Sequence, residues 1–333
     1  MGNTFMHTTA TRRAMTRFAV LSLTAVLFTL HAVAQPADFA AWLRELRSEA
    51  LQSGISEPTL NTALSGLQPL PRVIELDRRQ PEVTLTYSQY IQRVLSAGRT
   101  QRGKSLFETH RALLMDIGAT YGVQPAVIVA LWGIETDYGR SSGDFPVLAA
   151  LATLAYDGRR SAFFRRELLD ALKIVDEGHI TSKAMLGSWA GAMGQNQFMP
   201  SSFRQYAVDH NGDGRRDIWG TLPDIFASTA NYLARSGWRQ GESWGCRVTV
   251  PAHVGAAHAG LEVYKSLPAW QALGVQSSCS DHQARQASLV LPEGTDGPAF
   301  LVYDNFYTLL KWNRSTYFAL AVGQLADAIG EAG

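Results

Sequence analysis

Pro125-Ala126-Val127-Ile128-Val129-Ala130-Leu131-Trp132-Gly133-Ile134-Glu135-Thr136-Asp137-Tyr138-Gly139 is the stretch on which the fold of this chain turns. Proline is tolerated at a helix start because the first amides have no intrahelical acceptor, and the residues after Pro125 present no polar face. A helix that is apolar on every side is buried. The stretch therefore predicts a central helix with Glu135 at its far end, where Glu135 closes an uncharged run from Ile117 to Ile134. Burial disfavours the ionised form, and a carboxylic acid that keeps its proton near neutral pH is a candidate general acid. The alternative is a helix-end glutamate turned to solvent. Gly139 and Ser141-Ser142-Gly143 are the expected helix stop.

On the N-terminal side, apolar residues recur at helical spacing: Phe39, Leu43, Leu46; Tyr87, Ile91, Val94, Leu95; Leu106, Leu113, Leu114, Ile117. Pro69 and Pro71 interrupt this pattern and predict a loop. On the C-terminal side, helices are expected over about 145–156 and 162–176. After about Gly241 the pattern changes to strands at Arg247–Val250, Ser288–Leu291 and Ala299–Tyr303, and a last helix runs through Tyr317 to Ile329 with Ser315 as its N-cap. The expected fold is mainly α, with a smaller strand-containing C-terminal part. The segments are 1–34, 35–120 (helical), 121–240 (the core that carries Glu135) and 241–333.

Residues 1–34 read as an export signal. Arg12, Arg13 and Arg17 precede the apolar stretch Phe18 to Leu30, and Ala32-Val33-Ala34 forms a small-residue cleavage site. Cleavage after Ala34 would remove three of the 30 basic residues and no acid, leaving 27 against 29 acidic. That balance gives no basic footprint for nucleic acid. No cysteine stands near the cleavage site to carry a lipid anchor. The two cysteines, Cys246 and Cys279, lack metal-type spacing, and in an exported protein they are free to pair or to stay apart.

Two motifs need separate treatment. Gly98-Arg99-Thr100-Gln101-Arg102-Gly103-Lys104-Ser105 fits the P-loop pattern, but a P-loop follows a buried strand, and Tyr87 to Ala97 has helical spacing. Nucleotide binding is therefore not expected. Asp209-His210-Asn211-Gly212-Asp213-Gly214 places oxygen side chains at positions 1, 3 and 5 and glycine at 6, as a calcium-binding EF-hand loop does. Arg215 would offer its carbonyl at position 7. Position 12 is Gly220 rather than a bidentate glutamate, so Asp217 or Asp224 would have to complete the shell. The alternative is a metal-free Asx turn.

Between these features lies Gly187-Ser188-Trp189-Ala190-Gly191-Ala192-Met193-Gly194-Gln195-Asn196-Gln197-Phe198-Met199-Pro200-Ser201-Ser202. Taken with Ile134-Glu135-Thr136-Asp137-Tyr138-Gly139, the calcium-type loop and Trp312-Asn313-Arg314-Ser315-Thr316, it resembles the membrane-bound lytic murein transglycosylase B family from about residue 38 to 330. The resemblance implies a lysozyme-like α-rich core whose groove binds peptidoglycan glycan strands. It also implies cleavage between N-acetylmuramic acid and N-acetylglucosamine, with the muramyl 6-hydroxyl attacking to leave a 1,6-anhydro end. Glu135 matches the family's acid/base. Ser188, Gln197, Tyr232 and Asn313 match sugar-contacting positions. Asp209, Asn211, Asp213, Arg215 and Asp224 match the calcium loop, for which a structural Ca2+ is expected.

Trp312 stands where many relatives have tyrosine and is expected to stack on a sugar ring. Glycoside cleavage usually needs two carboxylates, yet Asp137, two residues from Glu135, would lie on roughly the opposite side of a helix. One acid suffices when the substrate supplies its own nucleophile. A hydrolytic lysozyme-like enzyme and a non-catalytic glycan-binding protein are the competing readings. A soluble periplasmic enzyme is expected.

Overall fold

The structure is a computed structural model and describes residues 38–79, 85–277 and 286–330. The expected signal segment, its cleavage site and Cys279 lie outside the described residues.

The described chain opens with α1 (Phe39–Gln52), α2 (Glu57–Ala63), α3 (Pro71–Arg78), α4 (Tyr87–Val94), α5 (Ala97–Thr109) and α6 (Arg111–Tyr121). The buried helix α7 (Pro125–Thr136) follows with Pro125 in its first turn. Next come β1 (Phe145–Pro146), α8 (Val147–Tyr156), α9 (Ser161–Asp176), β2 (Leu186–Gly187), α10 (Pro200–Tyr206) and α11 (Leu222–Arg235). The remainder is β3 (Gly245–Thr249), β4 (Tyr264–Ser266), α12 (Leu267–Ala272), β5 (Gln276–Ser277), β6 (Gln286–Val290), β7 (Ala299–Val302), α13 (Asp304–Trp312) and α14 (Thr316–Gly330). The fold is mainly α with a small sheet part, as expected. Pro71 opens α3 instead of lying in a loop, because a helix start has no use for the amide it lacks.

Three apolar clusters hold these elements. One gathers α7, α11 and α14 through Ile128, Leu131, Phe226 and Leu325. A second joins α1 and α2 to α8, α9 and α10 through Trp42, Leu60, Leu151, Phe164 and Phe203. The third fills one face of the sheet, through Trp270, Leu289 and Leu301. Each fully buried leucine or phenylalanine contributes about 1.5–3 kcal/mol, so α7, buried from Val127 to Gly133, is anchored by its sides and not by its own helix propensity. Tyr232 and Trp312 pack against both helical clusters and so mark the seam between them.

The antiparallel sheet has the order β4-β6-β7-β3-β5. Of its strands, β3, β6 and β7 were legible in the sequence. Cys246, on β3, is disulfide-bonded. The short strands β1 and β2 pair Phe145 with Gly187 and Pro146 with Leu186, which ties the segment after α7 to the Gly187–Ser202 motif.

The P-loop match falls inside α5, which begins after α4 and not after a strand. The reason for its second glycine is steric. A Cβ at Gly103 would collide with the Tyr138 hydroxyl and with Ile329, so the residue permits close helix contact.

Candidate active site

Glu135 occupies the last turn of α7 and is half-buried at the seam. Burial pushes its carboxyl from an ordinary value near 4.5 to about 7, against the opposing pull of a hydrogen bond from Trp312. In that bond Trp312 Nε1 donates to Glu135 Oε1 over 2.7 Å, across 177 residues of chain. Tyr90, on α4, lies within reach of its field. Burial raises the Tyr90 hydroxyl's pKa, and the Glu135 charge raises it further.

The stop after Glu135 is not made by Gly139 alone. Asp137 (φ 49°) and Tyr138 (φ 62°) are both left-handed, a conformation that is unfavourable for residues with a Cβ. Their amides close the helix on Gly133 O (3.1 Å) and Trp132 O (3.2 Å). Three arginines fix the turn. Asp137 Oδ1 lies 3.5 Å from Arg99 Nε and 3.1 Å from Arg102 Nη1, and Oδ2 lies 3.2 Å from Arg140 Nη1. Tyr138 is buried and donates its hydroxyl to Arg99 O over 2.9 Å. The nearest carboxylate in sequence to Glu135 is therefore ion-paired, and it caps the end of α7 in a left-handed turn instead of lying on the opposite side of the helix.

The Gly187–Ser202 motif folds as a tight set of turns against this helix. Ser188 Oγ accepts from Ala192 N (3.0 Å), which leaves its own proton free to donate. Gln197 (φ 52°) is held left-handed, with Nε2 donating to Ser142 O (3.0 Å) and Gly194 O (2.9 Å). A non-glycine residue held this way is the kind of strain that collects at functional sites. Gly143 and Gly187 allow the two segments to touch, since a Cβ on Gly143 would overlap the Gly187 carbonyl. Gln195 joins the motif to α7 by accepting from Trp132 Nε1 (2.7 Å) and donating to Trp219 O (2.8 Å).

Tyr232 donates its hydroxyl to Lys311 O (2.7 Å), and its ring lies 4.7 Å from that of Trp312. Phe198 lies 5.2 Å from Trp312 on another side. Asn313 follows Trp312 and is exposed, with Oδ1 accepting from Ser315 N (3.0 Å). Glu135, Trp312, Tyr232 and the Gln197-Phe198 turn thus converge. Ser188 lies one residue after β2, in the same motif as that turn.

The calcium-type loop is a separate feature. Asp209 Oδ1 accepts from Gly212 N (2.7 Å) and Asp213 N (3.1 Å), and Oδ2 accepts from Gly214 N (2.8 Å). Asn211 Oδ1 accepts from Asp213 N (3.1 Å), and Asp213 Oδ1 from Arg215 N (2.9 Å). Asp224 is fully buried and braces the loop from α11, with Oδ1 accepting from His210 N (2.8 Å) and Oδ2 from Asp217 N (2.8 Å). An oxygen that accepts one amide keeps lone pairs for more, and an all-oxygen set suits a hard cation. Among the described residues no three Asp, Glu, His or Cys side chains converge as a metal cage. A cation here would draw on the Asn211 amide oxygen and on backbone carbonyls beside the carboxylates.

Comparison with known proteins decides the family. The family model described as the transglycosylase SLT domain matches residues 38–327. The membrane-bound lytic murein transglycosylase B of Escherichia coli (strain K12) is 34% identical over 291 residues, which cover 83% of this chain and 79% of that protein. This chain belongs to the transglycosylase SLT family. Among solved structures, SltB3 from Pseudomonas aeruginosa in complex with NAG-anhNAM-pentapeptide superposes with a TM-score of 0.86 at 45% identity, covering 89% of this chain and 80% of that one. The Escherichia coli lytic transglycosylase Slt35 in complex with calcium superposes with a TM-score of 0.75 at 32% identity, covering 88% and 93%. The family is one of enzymes that act on peptidoglycan, and its lysozyme-like fold is the one described above.

Sequence reasoning missed three participants in this family site. Tyr90 was signalled only by its place three residues after Tyr87 on α4. Arg99 and Arg102 were absorbed by the P-loop pattern, although their spacing of three places both on one face of α5. The direct bond between Trp312 and Glu135 had no local signal.

Proposed function

We propose that the chain cleaves the β-1,4 bond between N-acetylmuramic acid and N-acetylglucosamine with Glu135 as its sole acid/base, leaving 1,6-anhydro-muramyl ends. The observation that carries this reading is the contrast between two carboxyls. Glu135 is pushed to about 7 by burial, while Asp137 is engaged by three arginines.

Protonated Glu135 donates to the glycosidic oxygen as the bond to the anomeric carbon breaks, and the sugar passes through an oxocarbenium-like state. The resulting carboxylate then takes the proton of the muramyl 6-hydroxyl as that oxygen bonds to the anomeric carbon, which restores the acid. No water is consumed, so no second carboxylate is needed to activate one. Ser188, Gln197, Tyr232 and Asn313 are read as sugar contacts and residues 121–240 as the catalytic core. Peptidoglycan fragments bound to SltB3 support a glycan strand as the substrate.

The loop Asp209–Arg215, braced by Asp224, is read as a structural Ca2+ site. Calcium bound to Slt35 supports this assignment. The N-terminal segment is read as an export signal that delivers the enzyme to the periplasm. Among the described residues no single helix is long and apolar enough to cross a membrane. Mass analysis of digested peptidoglycan tests the reading. Anhydromuramyl products support it, reducing ends indicate a hydrolase, and intact glycan indicates a binding protein.

A further inference from the structure

Trp312 is half-buried and is packed against aromatic rings on more than one side. Its ring meets Tyr232 edge-on at 4.7 Å and Phe198 at 5.2 Å, and Tyr206 backs Tyr232 at 4.5 Å. Its main chain is pinned as well. The Tyr232 hydroxyl holds Lys311 O at 2.7 Å, Lys311 Nζ donates to Ser236 O over 2.6 Å, and Asn313 N donates to Leu309 O over 3.0 Å. The polar edge of this fixed ring points at Glu135 Oε1, 2.7 Å away.

An indole N–H can donate but cannot accept, whereas a tyrosine hydroxyl does both. A carboxylic acid has one oxygen that carries the proton and one that does not, and a donor-only partner bonds better to the second, which is the stronger acceptor. With the indole on Oε1, the proton is favoured on Oε2 whenever the acid is protonated. After ionisation the same contact persists as a stronger, charge-assisted bond. We infer that Trp312 is a positioning residue, whose indole N–H holds Glu135 Oε1 as a permanent acceptor so that Oε2 alone gives up and recovers the catalytic proton. This inference rests on the reading of Glu135 as the acid/base and deepens it.

The groups that face Glu135 do not compete in the relevant pH range. Tyr90 from α4, whose hydroxyl feels the Glu135 charge, has its pKa raised above the ordinary 10 by burial. Asp137 and its partners Arg99, Arg102 and Arg140 form an ion cluster beyond the end of α7.

Trp312→Phe keeps an aromatic ring against Tyr232 and Phe198 and removes the N–H together with the pyrrole part of the indole. Loss of one charge-assisted hydrogen bond predicts a fall in kcat of about tenfold with KM changed less than about twofold, and a basic limb of the kcat/KM profile moved up by about one pH unit. Trp312→Tyr, which restores a donor, should recover part of both. An unchanged pH limb with a raised KM would instead make Trp312 a sugar contact and overturn the inference. A second measurement does not depend on the variant folding. In the wild-type chain the Trp312 indole 15N–1H resonance should titrate with the Glu135 carboxyl, and in Glu135→Gln it should not; a pH-invariant wild-type signal overturns the inference. Turnover retained by Glu135→Gln would refute the underlying assignment of the acid, an outcome distinct from either result at Trp312.

Discussion

Replacing Glu135 by glutamine should stabilise this protein while abolishing its activity, and the gain should depend on pH in a defined way. The carboxyl is held near 7 by burial, against an ordinary value near 4.5. Below about pH 4.5 the folded and unfolded chains both carry the proton, and the group contributes nothing. Between 4.5 and 7 the unfolded chain releases the proton first, so the native state binds more protons and stability falls as pH rises. Above 7 the cost is complete. At 1.36 kcal/mol per tenfold change in acidity it amounts to about 3 kcal/mol, or about 2 after allowing for the side chain's partial exposure.

Glutamine cannot ionise, and its Oε1 can still accept from Trp312. In a chain of this size the difference corresponds to a variant Tm raised over wild type by roughly 3 °C more at pH 8 than at pH 4. Thermal unfolding of both proteins at the two pH values checks it. An offset between variant and wild type that is the same at pH 4 and pH 8 would refute the claim that burial holds the acid's proton.

Other consequences are as direct. The kcat/KM of the wild-type enzyme should fall with a basic limb near pH 7 as Glu135 loses its proton; a limb below pH 5 in a pH–rate profile would contradict the burial argument. Asp137→Asn keeps a residue that tolerates the left-handed turn and removes the charge shared by three arginines. It should cost about 1 kcal/mol in urea unfolding and leave cleavage within a few-fold, and loss of cleavage in an intact fold would make Asp137 catalytic. Gly133→Ala places a Cβ about 2.6 Å from the Tyr138 ring and should destabilise the fold by about 1–3 kcal/mol, measured the same way. Added Ca2+ should raise Tm and a chelator lower it, and an unchanged melting curve would remove calcium from the account.

The parts of the fold legible in the sequence are those whose signal is local. The run from Pro125 to Ile134 identified a buried helix because burial on every side leaves no polar stripe, and this placed Glu135 at the helix end. Strands β3, β6 and β7 carry enough consecutive apolar or β-branched residues to be read, whereas β4 at Tyr264–Ser266 and β5 at Gln276–Ser277 are edge strands too short to show a period.

The sequence pattern puts the stop after Glu135 at Gly139 and Ser141-Ser142-Gly143, where turn-forming residues cluster. Asp137 and Tyr138 adopt a left-handed backbone earlier because Arg99, Arg102, Arg140 and the contact with Gly133 hold them there, and none of these can be read from the turn itself. Trp312 was legible as an aromatic in a motif. Its bond to Glu135 joins residues 177 apart and exists only because α13 ends at the seam of two helical clusters.

The central claim is that one buried carboxyl acts alone and the substrate supplies its own nucleophile. Digestion of purified peptidoglycan in isotopically labelled water, followed by mass analysis of the muramyl ends, tests it most directly. The account predicts 1,6-anhydro ends that carry no label and a complete absence of these products with Glu135→Gln. Labelled reducing ends would contradict it, because they would require a water molecule and a second group to activate it.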